Sequence, residues 1–82
     1  MTLKQFTENW NGRTEGGFTV NRCFSFKPWC GESEGATVYV AAEYSRGSWE
    51  AVHAETKDGK PFDMVCTCGE SKADLIDMIM GC

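Results

Sequence analysis

Apolar positions along this chain follow two different periods, and the places where the period changes divide it into elements. Leu3, Phe6 and Trp10 stand at i, i+3 and i+7, and Thr2 with Gln5 three residues on forms a capping box. Gly12 stands where such a helix would stop, so the pattern predicts a short helix over residues 3–11. From 18 to 27 the period becomes two, with Phe18, Val20, Phe24 and Phe26 alternating against Thr19, Asn21, Cys23 and Ser25, which predicts a half-buried strand closed by Pro28. Arg22 interrupts its apolar side and reads as a snorkelling or paired residue. Three further strands are expected over 37–44, 49–56 and 62–67, separated by the tight-turn pairs Arg46-Gly47 and Asp58-Gly59, which makes a meander. Ser71 with Asp74 starts a second helix, Leu75, Ile76, Ile79 and Met80 give it an apolar stripe, and Gly81 ends it.

The order is helix, strand, meander, helix, without repeats or a linker long enough to divide it. The expected architecture is a single α+β domain over residues 1–82, a two-layer sandwich. A short N-terminal helix and a C-terminal helix lie on a four-stranded antiparallel sheet made of a first strand plus the meander. If Ser45 opposes Ser48 and Lys57 opposes Lys60, turn geometry fixes the register and the two faces can be written down. One carries Val38, Val40, Ala42, Tyr44, Trp49, Ala51, His53, Glu55, Phe62, Met64, Cys66 and Cys68. It is the more apolar, and both helices are expected on it. The other face, with Ala41, Val52 and Val65 at its centre and Tyr39, Glu43, Glu50 and Asp63 around them, is then left open. An apolar centre with an acidic rim has the make-up of a protein-binding patch. Trp29, in the loop after the first strand, is a second anchor for a partner.

Composition narrows the function. At 82 residues a chain hides only about 60% of the surface its unfolded form exposes, too little for a large enzyme with a deep, rigid cleft. The net charge of -4 argues against direct nucleic-acid binding. The excess lies in residues 28–56, where Glu32, Glu34, Glu43, Glu50 and Glu55 face Arg46 alone, and it can steer a basic partner. No apolar run approaches the roughly 20 residues that cross a bilayer, and residues 1–10 lack a secretory signature, so no membrane association and a cytoplasmic location are expected.

The five cysteines are odd in number and, in a reducing compartment, are expected as free thiols. Cys66 and Cys68 share one side of a strand and could share a zinc ion with His53, Cys30, Cys23 or Cys82, although Cys-x-Cys is not the usual metal knuckle. The derived register also sets His53 diagonal to Cys66, but burial of that face would raise the thiol pKa and leave it inert, so no enzyme activity is expected. Gly69-Glu70-Ser71-Lys72-Ala73 is similar to the helix start of double-stranded-RNA-binding domains. In that family further basic residues of the helix face phosphate, whereas Asp74 and Asp77 follow here, and RNA binding is not expected.

The leading expectation is therefore a non-catalytic, cofactor-free binding or inhibitor module that docks on a basic surface of a larger protein, such as a nucleic-acid-binding host complex. Small acidic domains of this kind are typical of phage and mobile-element proteins that block host machinery, anti-CRISPR proteins among them. Such a protein would work in the host cytoplasm. The alternatives are a zinc- or redox-dependent cysteine protein and a homodimer formed through the open sheet face or Cys82.

Overall fold

The computed structural model describes residues 1–81. Helix α1 (Leu3–Trp10) opens with the capping box: Gln5 N–H donates to the Thr2 hydroxyl at 3.2 Å, and Thr2 N–H donates to Gln5 Oε1 at 2.8 Å. Its buried residues, Phe6 and Trp10, are four apart and so share one face. A small hairpin follows, β1 (Thr14–Glu15) with β2 (Phe18–Thr19). The main sheet is antiparallel, in the order β3 (Arg22–Phe26), β4 (Val38–Ser45), β5 (Ser48–Thr56), β6 (Cys68–Gly69). Helix α2 (Lys72–Met80) starts where Asp74 N–H donates to the Ser71 hydroxyl at 3.0 Å and ends at Gly81 in the left-handed conformation, φ 64°. The α+β class, both helices with their caps, and the antiparallel sheet are as the sequence predicts. Among the described residues no helix is long and apolar enough to cross a membrane.

The helices, however, do not share a face. Phe6 and Trp10 of α1 pack with Val20, Tyr39 and Ala41, while Leu75 and Ile79 of α2 pack with Phe24, Val38, Val40, Ala42, Ala51 and Ala54. The sheet lies between them, covered by one helix on each side. Strand β4 accordingly buries five residues in succession, Val38 to Ala42, the pattern of a strand enclosed on both faces.

Two local irregularities move side chains away from their expected sides. The run over 18–27 does not form one strand, because Val20 leaves the alternation: its N–H donates to the Arg13 carbonyl and its own carbonyl accepts from Gly12 N–H. Asn21 then bonds Tyr44 through its side chain, accepting from the backbone N–H at 2.8 Å and donating to the carbonyl at 3.0 Å. Val20 thus turns under α1 while Phe24 faces α2. In β5, Ala41 pairs with His53 but Ala42 pairs with Ala51, leaving Val52 as a bulge. Beyond it the sides exchange, so Ala54 faces α2, and His53 and Glu55 share the α1 side with Tyr39 and Ala41.

The expected strand over 62–67 is reduced to a bridge and scattered bonds. Pro61 bridges Glu55 but has no N–H to give, Phe62 N–H reaches the Ala54 carbonyl, and Val65 N–H turns away to the Ile79 carbonyl at the end of α2. Regular pairing resumes only at Cys68 and Gly69, opposite Glu50 and Trp49. Phe62 and Met64 still pack against the α2 core, as expected.

Candidate functional site: an acidic cleft beside Trp29

The face expected to be open is closed at its centre. Tyr39 is only 4% exposed; its ring lies 5.4 Å from that of Phe6 and its hydroxyl donates to the Met1 carbonyl at 2.9 Å. Ala41 is fully buried, and Val52 packs against the same cluster under α1. Val65, 72% exposed, belongs to no sheet face and lies beside Gly81 at the end of α2. Glu43 and Glu50 oppose each other across β4 and β5, where like charges would repel, and each is held by a donor. Thr19 N–H donates to Glu43 Oε2 at 2.8 Å, tying β2 to the sheet, and the Thr67 hydroxyl donates to Glu50 Oε1 at 2.8 Å, tying down the segment before β6. These two carboxylates serve as struts.

Of the residues named from the sequence, Trp29 and Asp63 keep their exposure as Val65 does. Pro28 is buried and anchors the loop, while Trp29 beyond it is 47% exposed. The loop bonds to itself, through Gly35 N–H to the Pro28 carbonyl and Glu34 N–H to the Gly31 carbonyl. It forms one wall of a cleft of about 380 Å³, whose other wall is Pro61, Phe62 and Asp63 and whose end is Ile79 and Met80. A second depression of about 320 Å³ adjoins it, sharing Glu32, Ser33 and Pro61 and adding Asp58 and Lys60. Glu32, Asp58 and Asp63 thus stand around two joined hollows with Lys60 as their one cation. Glu32 was visible in the sequence as part of the acidic stretch; its place in one cleft with Asp63 depends on the loop closing back on residues 61–63.

The cysteines divide into separate environments. The bulge carries His53 to the α1 side, where it stacks on Trp10 at 4.3 Å with its Nε2 3.4 Å from Glu55 Oε2. Arg13 covers Trp10 as well, 3.9 Å from the ring centre. His53 is therefore not joined with Cys66 and Cys68 in a metal set or a Cys-His pair. Among the described residues no three His, Cys, Asp or Glu side chains form a metal-binding group. Cys30 is disulfide-bonded, which corrects the expectation of free thiols throughout and removes it as a metal ligand. Cys82 lies outside the described residues. Burial pushes the Cys23 thiol pKa up, partly offset by a hydrogen bond with the Thr7 side chain.

Cys66 and Cys68, in contrast, are brought together, their sulfurs 3.8 Å apart. The Cys68 N–H and thiol both hydrogen-bond the Cys66 sulfur and lower its pKa; the same sulfur–sulfur hydrogen bond and the charge of a Cys66 thiolate shift Cys68 upward. Glu50 opposes thiolate formation at both, and Asp74 at Cys68. The chain matches no protein-family model, no curated protein and no solved structure.

Proposed function

We propose that this protein is a small non-catalytic docking module that binds a basic surface of a larger protein through the cleft beside Trp29. The observation that carries this reading is the exposed indole of Trp29 on a loop whose Glu32 lines, together with Asp63, a hollow that Phe62, Ile79 and Met80 make partly apolar. A rigid aromatic anchor gives affinity, carboxylates around a hollow accept Lys or Arg, and the apolar end takes the aliphatic stem of such a side chain. The reading moves the contact surface from the sheet, whose centre is occupied by α1, to the loop side, and keeps the partner chemistry expected from the charge of -4. In its narrowest form the partner is a basic, nucleic-acid-handling host complex and the protein an inhibitor of the phage-encoded kind. Size and acidity support that form.

The test is capture of partners at low and high salt by the wild-type chain, Trp29→Ala, and Glu32→Lys with Asp63→Lys. A partner retained by the wild type should be lost with the charge reversal and weakened about 30-fold or more by Trp29→Ala, the effect of a hot-spot tryptophan worth about 2 kcal/mol. Binding should also fall as salt rises. Identical capture by all three proteins would refute the proposal.

A further inference from the structure

We propose that Cys66 and Cys68 are a redox-active dithiol, converted to an intramolecular disulfide by exchange with a small-molecule disulfide of the glutathione class. Residues two apart on an extended segment point to the same side with Cα atoms about 6–7 Å apart, at the upper end of the span that a disulfide bridges. The sulfurs already lie 3.8 Å from each other, so rotation of the two side chains can close the bond. The backbone between them is fixed at its middle: the Thr67 carbonyl accepts from Ala51 N–H at 2.6 Å and its hydroxyl donates to Glu50 at 2.8 Å. Ring closure therefore leaves the anchoring of the segment in place. Cys68 is exposed and Cys66 half-buried, so a solute can reach the pair, while Cys23 lies in the α1 cluster.

The hydrogen bonds set the order of events. Cys66, whose sulfur accepts from the Cys68 backbone N–H, is the first nucleophile. Its thiolate attacks one sulfur of the small disulfide, forming a mixed disulfide and releasing one small thiolate. Cys68 then gives its proton to solvent and attacks the Cys66 sulfur, which breaks the mixed disulfide and releases the second small thiolate. The protein loses two electrons and two protons, and the small disulfide is reduced to two thiols. The attacking group is itself a thiolate, so no histidine base takes part, consistent with His53 facing α1.

The experiment incubates the full chain, purified without reductant, with oxidised glutathione at neutral pH, quenches with acid, alkylates the remaining thiols and maps the peptides by mass. The wild type should yield a peptide bridged between Cys66 and Cys68, two hydrogens lighter than the dithiol, with Cys23 alkylated. Cys68→Ser should stop at a mixed disulfide on Cys66, and Cys66→Ser should take up glutathione at least about tenfold more slowly. Glutathione adducts on both Cys66 and Cys68 of the wild type, or both of these thiols still alkylatable after prolonged incubation, would overturn the proposal. The wild-type measurement decides it even if a serine variant fails to fold.

Discussion

Gly69 lies directly against the backbone of α2, and replacing it by alanine tests the packing directly. Its φ is not in the left-handed region, so backbone strain is not the issue; space is. A Cβ at this position would lie 2.6 Å from Leu75 N, 2.7 Å from Leu75 Cα and 3.1 Å from the Asp74 carbonyl carbon, all backbone atoms of the first turns of α2. The nearest of these falls about 0.8 Å short of the 3.4 Å at which ordinary contact begins. No rotamer can relieve it, so the helix must retreat from the sheet. A gap of that size removes about a quarter to a half of the dispersion attraction of each contact it opens, and the contacts at risk are those of Leu75 and Ile79, both fully buried.

Overpacking of this kind costs about 1–3 kcal/mol, against a total stability of roughly 4–12 kcal/mol for a chain of this length. Gly69→Ala should therefore fold, with its urea midpoint lowered, its m-value unchanged and its melting temperature down by about 4–8 °C for each kcal/mol lost. The exposed neighbour Glu70, whose side chain makes no hydrogen bond or ion pair among the described residues, serves as the control, and Glu70→Ala should stay within about 0.5 kcal/mol of wild type. A Gly69→Ala protein as stable as that control would refute the placement of α2 on the sheet.

Other substitutions probe separate parts of the argument. Phe6→Ala, which empties the fully buried site beneath α1, should cost about 3–5 kcal/mol in denaturant unfolding, whereas an α1 that did not seal the sheet would make the change nearly neutral. Ser71→Ala removes the acceptor for Asp74 N–H at the start of α2 and should cost about 1 kcal/mol in the same assay. Arg46 adopts a φ of 52° in the hairpin turn before Gly47, so Arg46→Asn, better suited to the left-handed region, should raise stability by about 0.5–1 kcal/mol. Because the pKa of Cys66 is lowered and that of Cys68 raised, a larger fraction of Cys66 is thiolate at neutral pH. Iodoacetamide should modify Cys66 first near pH 7, with the difference narrowing as the pH rises; preferential labelling of Cys68 at pH 7 would contradict the hydrogen-bond assignment.

Much of the fold was legible because the signals were local. The capping box of Thr2 and Gln5, the Ser71 cap, the Gly81 stop and the Arg46-Gly47 turn each depend on residues within a few positions. What failed was the inference from local alternation to faces, since a bulge is a choice made by the pairing partner. Val52 reads like any other strand residue, and only the pairing of Ala41 with His53 and of Ala42 with Ala51 exposes it as the extra one. The unbroken apolar run from Val38 to Ala42 marks a strand enclosed on both sides and points to helices on opposite faces. The candidate site was legible in part. Trp29 and Asp63 were named from the sequence, but the cleft that Asp63 lines needs the loop after Trp29 to close against residues 61–63. The struts Glu43 and Glu50 looked like a solvent-facing rim because their donors, Thr19 N–H and the Thr67 hydroxyl, come from segments whose pairing the sequence leaves open.

The single unpaired residue in β5 makes that strand a splice of two hydropathy phases. Before Val52 the odd-numbered positions Trp49 and Ala51 serve the α2 core; after it the even-numbered Ala54 takes over. The helix that a side chain meets must therefore exchange midway along one continuous ribbon: Ala51 and Ala54, three apart, serve α2, while His53 between them stacks on Trp10 of α1. Pairing Val52 with Ala41 instead would restore a single phase and carry Ala54 to the α1 side and His53 to the α2 side.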